Sequence, residues 1–138
     1  HCSKEVLRFI QLTTGTALEQ NLESYLQAHT ERFNYARQWS AFFEHYPLIL
    51  GPVSTASPFT IGYDIEGTQQ ALGVRHSMCL TVIANLLGLP AVALPVGLSE
   101  GLPQGVQLIA RPYREDLCIS AAQAIEDRVG IMTPTDLN

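Results

Sequence analysis

Two apolar runs that are separated by a short glycine-bearing link constrain the fold of this chain more than any other feature. Residues 91–96 read Ala-Val-Ala-Leu-Pro-Val, and residues 106–110 read Val-Gln-Leu-Ile-Ala. A nearly continuous apolar run of this length is typical of a strand that is covered on both faces. Pro95 has no N–H for a sheet hydrogen bond, so we expect it at a bulge or a strand end. We therefore predict paired, buried strands over 91–96 and 105–110.

The link between these strands contains Gly97-Leu98-Ser99-Glu100-Gly101, which matches the Gly-x-Ser-x-Gly pattern of hydrolase nucleophiles. In that pattern a helix follows the serine directly, and an acid and a histidine come later in the chain. Here a second extended run begins after Gly101, and all 4 histidines precede Ser99. The sequence therefore favours a loop position for Ser99 over a catalytic role.

Apolar residues recur at helical spacing in three other regions. They predict helices over 17–28 and 31–46 (or one long helix in their place), 78–87, and 116–128. The first of these starts at Thr16-Ala17-Leu18-Glu19, a capping-box pattern in which two side chains satisfy free amides of a helix start. The helix over 78–87 is expected to end at Gly88 and Pro90. Aromatic residues within 31–46 are interpreted as core.

The region between the first helices and residue 77 carries a short strand and a long loop. Pro47 ends the helical pattern, and Leu48-Ile49-Leu50 predicts a short buried strand that ends in Gly51-Pro52. Residues 53–73 show no periodicity, so we expect irregular structure that forms a wall or a lid. Helices that alternate with buried strands indicate an α/β layer structure.

Composition excludes several classes of function. With 138 residues, 46% of them apolar and 15% charged, the chain is expected to form one compact domain. A net charge of −5 and scattered arginines leave no basic footprint, so we expect no nucleic acid as a partner. No apolar stretch is long enough to span a bilayer, so no membrane partner is expected. The 3 cysteines are odd in number and favour a reducing cytoplasm.

Other candidate chemistry is weak at the level of sequence. His76 and Cys79 would share a helix face, but Cys79 lies in an apolar run of the kind that buries inert cysteines, and Cys118 is interpreted in the same way. The histidines are too far apart in sequence for a metal pair. The acids Glu115-Asp116 favour a helix start, and Glu126-Asp127 are expected to be solvated. We expect no catalytic group, metal or cofactor in this chain.

Several short motifs follow one another in a fixed order and spacing. They are Tyr46-Pro47-Leu48-Ile49-Leu50-Gly51-Pro52, Asn85-Leu86-Leu87-Gly88-Leu89-Pro90, Pro95-Val96-Gly97, Gly101-Leu102-Pro103-Gln104-Gly105-Val106-Gln107, and an acid at Glu115 before a helix that closes with Glu126. Together they resemble the C-terminal part of the amidase signature family. The resemblance implies an α/β fold in which residues 1–138 are the C-terminal segment of a mixed β-sheet with covering helices.

The resemblance also implies an activity, the hydrolysis of a carboxamide to a carboxylate and ammonia. Family members use a serine nucleophile, a second serine in a cis peptide and a lysine base, all in their N-terminal part. This chain has no Gly-Gly-Ser-Ser-type run, and Lys4 lies in no matching context, so no catalytic residue can be assigned here. The missing N-terminal half would supply them.

Substrate preference is implied by one position of the resemblance. In the glutamine-using branch that serves tRNA-dependent amidotransferases, an aspartate near the start of the Asn85 helix holds the amino group of glutamine. The aligned residue here is Met78, which favours apolar or aromatic amides. The residues expected to contribute to a substrate pocket are Pro52, Val53, Ser54, Thr55 and Met78.

The remaining residues of the motifs are assigned structural roles. They are expected to end a helix and to shape the connection between strands so that the sheet can pack. These residues are Asn85, Gly88, Pro90, Pro95, Gly97, Gly101, Pro103, Gly105 and Gln107.

The sequence begins at His1 rather than at a start methionine, which we interpret as a piece of a longer amidase. Its expected partners are the N-terminal half of the same enzyme and, in the complete protein, a small-molecule amide. Alone, the chain is expected to be inactive and to self-associate through apolar surface that the other half covers. Two alternatives stay open: a non-catalytic protein-interaction module derived from the same fold, and a self-contained hydrolase that uses Cys79 or Ser99.

Overall fold

The computed structural model describes residues 2–15 and 21–131, and its elements lie in the following order along the chain. They are α1 (Lys4–Thr14), α2 (Leu22–His45), β1 (Leu48–Pro52), a short 3-10 helix (Tyr63–Ile65), α3 (Thr68–Ser77), α4 (Cys79–Leu87), β2 (Ala91–Ser99), β3 (Leu102–Ala110) and α5 (Glu115–Val129). The α/β class predicted from the sequence is confirmed.

Packing divides the described residues into two compact units, and each is described by itself. Unit 1 takes its residues from His1–Glu31 and Ser54–Cys79, and unit 2 takes its residues from Arg32–Val53 and Leu80–Asn138. The prediction that residues 1–138 form one segment of a larger amidase domain stays a prediction.

The sheet of unit 2 has three antiparallel strands in the order β1-β3-β2. Ile109 of β3 is the register partner of Ile49 on one side and of Ala91 on the other. The pairing of β2 with β3 shifts register between Pro95 and Gly97, as the missing N–H of Pro95 led us to expect. The predicted strands over 91–96 and 105–110 therefore exist, and both are longer than predicted.

Helices cover both faces of this sheet. On one face Leu94, Leu108 and Ala110 form a buried cluster with Cys118 and Ala122 of α5. On the other face the fully buried Ile109 packs with side chains of α2 and α4, among them Phe43 and Ala84. The core of unit 2 is therefore a three-layer arrangement around β3.

The two outer strands, β1 and β2, are less buried than the sequence predicts. In β2 the alternating residues Ala91, Ala93 and Pro95 are exposed, and in β1 the Leu50 side chain is 61% exposed. Both strands lie at edges of the three-stranded sheet, and only the central β3 has a run of four buried residues, 107–110. A continuous apolar run does not by itself distinguish a central strand from an edge strand.

A two-residue turn joins β2 to β3. Ser99 is the register partner of Leu102, and the turn residues Glu100 and Gly101 have φ of 53° and 78°. Two successive positive φ values are typical of the type I′ turn, whose twist matches that of a hairpin. Ser99 is the last residue of β2 rather than a loop residue, and a strand rather than a helix follows it. The structural context of a nucleophile elbow is therefore missing.

The predicted helices compare unevenly with the observed ones. One continuous α2 replaces the two helices over 17–28 and 31–46, and the capping box at 16–19 lies outside the described residues. The helices over 78–87 and 116–128 are confirmed within one residue at each end as α4 and α5. The expectation that all of 53–73 is irregular is wrong, because α3 begins at Thr68.

Unit 1 is built on α1, which the sequence reading missed. Ser3 caps this helix by accepting a hydrogen bond from the Val6 N–H at 3.3 Å. Thr13 near its end is buried, and its hydroxyl donates to the Phe9 carbonyl at 2.9 Å. The helix packs against α3, whose buried residues are Ala71 and Val74. A serine cap followed by apolar residues at helical spacing was the available signal.

Replacement of Gly101 tests the turn. Gly101→Ala places a Cβ on a residue with φ of 78°, which costs about 1–2 kcal/mol in the left-handed region, so we expect the free energy of unfolding to fall by that amount. Urea titration followed by circular dichroism measures it. The matched control is Gly73→Ala inside α3, which is expected to raise stability by about 0.5–1 kcal/mol. A Gly101→Ala protein as stable as the unmodified chain would contradict the turn geometry.

Candidate functional site

The Gln107 side chain organises the end of β1, where two of the predicted pocket residues lie. Gln107 is 4% exposed, and its Nε2 donates to the Pro52 carbonyl at 2.9 Å and to the Thr81 Oγ1 at 3.2 Å. The Thr81 hydroxyl in turn donates to the Val53 carbonyl at 3.2 Å. Side chains from β3 and α4 therefore hold two successive carbonyl groups of the main chain.

Small neighbours make room for this buried carboxamide. The register partners of Gln107 are Gly51 on β1 and Ala93 on β2, so neither adjacent strand places a large side chain beside it. A Cβ on Gly51 would lie 2.6 Å from the Leu80 Cδ1, so the glycine also permits the close approach of α4. Leaving a buried donor or acceptor unpaired costs about 1–3 kcal/mol, which is why the partners of Gln107 matter.

The next two predicted pocket residues belong to unit 1 and gather around Ser77. The Thr55 N–H donates to the Ser77 carbonyl at 2.8 Å, and the Ser54 hydroxyl lies 3.1 Å from the Ser77 Oγ. Met78 follows Ser77 in the turn between α3 and α4 and is 37% exposed. The structure thus brings Ser54 and Thr55 to the residue that precedes Met78, and it holds Pro52 and Val53 separately in unit 2.

A shallow, open cleft that the sequence reading missed lies in unit 2. Its volume is about 290 Å³, and Val53, Pro95, Pro103, Gln104 and Gly105 are among the residues that line it. Gly105 is the register partner of Pro95, and a Cβ added to it would lie 3.3 Å from the Leu94 carbonyl and 3.9 Å from the Val53 Cγ2. The glycine therefore keeps one side of the cleft open. The cleft joins residues from three separate segments of the chain, so composition alone does not predict it.

The motif residues around α4 shape the backbone. Gly88 has φ of 67° directly after the helix, and the Leu89 N–H donates to the Ala84 carbonyl at 2.9 Å, as in a Schellman helix end. The Asn85 side chain donates to the Thr81 carbonyl at 2.9 Å. The Pro90 carbonyl accepts from the Ala110 N–H at 3.1 Å, which ties the start of β2 to the end of β3.

The cysteine–histidine hypothesis does not fit the geometry. His76 lies in the last turn of α3 and Cys79 begins α4, so the two residues do not share a helix face. The expectation that Cys79 is buried is also wrong, because the side chain is exposed. An apolar sequence on both sides of a residue does not bury it when a helix starts there.

Cys118 is buried as expected, on the sheet-facing side of α5. Burial raises the pKa of its thiol, and the carboxylates of Glu115 and Asp116 act in the same direction. Its Sγ lies 3.6 Å from the Pro90 carbonyl oxygen. A neutral thiol in this position packs like a small apolar side chain.

Within residues 2–15 and 21–131 no three His, Cys, Asp or Glu side chains are grouped so that they could hold a metal ion. No helix within them combines the length and the apolar character that crossing a bilayer requires.

Comparison with known proteins finds relatives of similar sequence and similar fold. A family model described as Amidase matches residues 1–119. An indoleacetamide hydrolase of Bradyrhizobium diazoefficiens is 40% identical over 117 residues, which cover 81% of this chain and 22% of the hydrolase. A glutamyl-tRNA(Gln) amidotransferase subunit of Moorella thermoacetica is 37% identical over 123 residues, which cover 88% of this chain and 25% of that protein.

Solved structures agree with these relatives. A 6-aminohexanoate cyclic dimer hydrolase complexed with substrate matches 87% of this chain with a TM-score of 0.66 and 29% identity, over 28% of its own length. The corresponding glutamyl-tRNA(Gln) amidotransferase subunit of Thermotoga maritima matches 78% of this chain with a TM-score of 0.64 and 30% identity, over 23% of its length. The chain spans about a quarter of the length of the curated relatives it matches.

Thiol labelling tests the placement of the cysteines. In native buffer we expect an alkylating reagent to modify the exposed Cys2 and Cys79 at least about a hundredfold faster than Cys118, which reacts only after local opening. Because its folded-state pKa is raised, the stability that Cys118 contributes is present below the ordinary thiol pKa and falls as the pH rises above it.

Peptide mass spectrometry at successive times measures each rate. The control is the same reaction in denaturing urea, where the three rates are expected to converge. Equal rates for Cys79 and Cys118 in native buffer would contradict the structure.

Proposed function

Because this chain belongs to the amidase signature family, we propose that it forms the C-terminal portion of an enzyme that hydrolyses carboxamides to carboxylates and ammonia. One observation carries the proposal: the family match extends over residues 1–119, yet the chain spans about a quarter of its relatives. In this proposal the nucleophile and base reside in the remaining polypeptide, and the present chain provides scaffold and part of the substrate pocket.

The described residues support this division of labour. Ser99 is the last paired residue of a strand in a hairpin, and Cys118 is a buried thiol. His76 and Cys79 lie on different helices. None of them has the pairing of nucleophile and base that covalent catalysis requires. The proposal therefore assigns no catalytic residue to this chain and expects it to be inactive alone.

The proposed substrates are apolar or aromatic amides. By the family resemblance Met78 corresponds to the aspartate of the glutamine-using branch, and a thioether cannot pair with an ammonium group. Relatives of both kinds match this chain, an indoleacetamide hydrolase and an amidotransferase component. Met78 favours a substrate like that of the indoleacetamide hydrolase.

Ammonia release by the full-length gene product tests the activity. The panel contains indoleacetamide, a benzamide and glutamine, and the same panel is offered to the chain of residues 1–138. We expect turnover of the aromatic amides by the full-length protein and none by the chain alone. Turnover by the purified chain would sink the proposal, and a gene that begins near His1 would favour the interaction module.

Met78→Asp in the full-length protein tests specificity. A carboxylate at this position can pair with the ammonium group of glutamine, so we expect kcat/KM for glutamine to rise about tenfold and that for indoleacetamide to fall. Met78→Asn, similar in size and uncharged, is the matched control and is expected to leave glutamine turnover unchanged. A similar response to both substitutions would mean that Met78 does not face the substrate.

We also propose that the N-terminal half of the enzyme covers apolar surface of this chain. Large apolar side chains are exposed on α1 and on the first turns of α2, among them Val6, Leu7, Leu22 and Leu26. Exposed apolar surface promotes association.

The free cysteines are consistent with a reducing cytoplasm, which we propose as the location.

Light scattering after size-exclusion chromatography tests this surface. We expect residues 1–138 alone to form dimers or larger species and the full-length protein to bury the same surface within one chain. Leu22→Gln with Leu26→Gln should reduce self-association, whereas Glu23→Gln, on the same helix, should not. A clean monomer of the unmodified chain that binds no hydrophobic dye would contradict the proposed surface.

A further inference from the structure

We propose that Gln107 and Thr81 are positioning residues that fix the Pro52–Val53 peptide and so set how tightly the enzyme binds the acyl part of its amide. This inference rests on the proposed function, because it takes Val53 as part of the pocket wall. It adds two residues on β3 and α4 that have no place in the chemistry itself.

Two side chains hold the main chain where β1 ends. Pro52 is the last residue of this edge strand and the register partner of Val106. The Gln107 Nε2 donates to the Pro52 carbonyl at 2.9 Å, and the Thr81 hydroxyl donates to the next carbonyl, that of Val53, at 3.2 Å.

The position of a carboxamide in the core also points to a specific role. Gln107 precedes Leu108, Ile109 and Ala110, all buried, in the central strand. An apolar side chain would satisfy burial there without any partner, whereas a carboxamide is stable only when its polar atoms are paired. Gln107 uses both of its amide hydrogens, one on Pro52 and one on Thr81.

The Val53 side chain transmits this constraint to the cleft of unit 2. Val53 lines the cleft beside Gly105, and its Cγ2 lies 3.9 Å from where a Cβ on that glycine would be. A shift of the Val53 peptide therefore changes the shape of this wall of the cleft. For an amide whose acyl group packs against this wall, such a change would alter KM and leave kcat nearly unchanged.

The experiment removes one hydroxyl. Thr81→Val keeps the shape of the side chain and deletes both the donor to Val53 and the acceptor of the Gln107 Nε2, whereas Thr81→Ser retains the hydroxyl and is the matched control. In the full-length enzyme we expect Thr81→Val to raise KM for indoleacetamide about tenfold with kcat within about twofold, since the pocket wall loses its support while the reacting groups are untouched. Thr81→Ser is expected to keep both constants within about twofold of the unmodified enzyme.

A second readout does not depend on activity. Hydrogen exchange of peptides that contain residues 48–53, measured on the chain of residues 1–138, should become about tenfold faster in Thr81→Val and stay unchanged in Thr81→Ser. Gln107→Met, which removes the donor to Pro52 at similar volume, should accelerate exchange in the same peptides. Circular dichroism confirms that each variant is folded.

The two readouts separate the ways in which the inference can fail. Unchanged exchange in folded Thr81→Val and Gln107→Met proteins would overturn the positioning role. Faster exchange with an unchanged KM in an active enzyme would overturn the link to amide binding. If the full-length protein releases ammonia from no amide, the proposed function and the link to binding fail together, while exchange still decides whether Gln107 and Thr81 hold the peptide.

Discussion

The packing of β3 is the constraint on which unit 2 depends. This strand pairs with β1 on one side and β2 on the other, and residues 107–110 are buried between α5 on one face and α2 with α4 on the opposite face. Ile109 and Ala110 are completely inaccessible to solvent. Such a strand fixes the positions of its neighbours, because a shift by one residue would exchange the side chains of the two faces. Gln107 takes its position from this register.

Local signals in the sequence were sufficient for much of the fold. The strand at 48–52, the hairpin strands, the bulge at Pro95 and the end of α4 at Gly88 follow from proline and glycine chemistry and from apolar periodicity. The class of the fold followed from the same patterns. These features depend on residues close together in the chain, which is why they are accessible without a structure.

Features that depend on distant residues were not accessible in the same way. The exposure of Leu50 and Cys79 depends on which strand is central and where a helix starts, and apolar composition carries neither piece of information. The helix α3 was hidden by polar residues such as Thr68 and Gln69, which interrupt the apolar pattern. In the candidate site, the contact of Gln107 with Pro52 joins residues 55 positions apart, and only tertiary packing brings them together.

The tight turn at Glu100 and Gly101 has a practical consequence. The two turn residues are exposed at the tip of the hairpin, beyond the last register pair, Ser99 with Leu102. Extra residues inserted at the tip would extend into solvent without displacing the buried layers, as exposed loop tips generally allow. This tip is therefore a natural attachment point for a fluorescent reporter or an affinity peptide in studies of the association state of this chain.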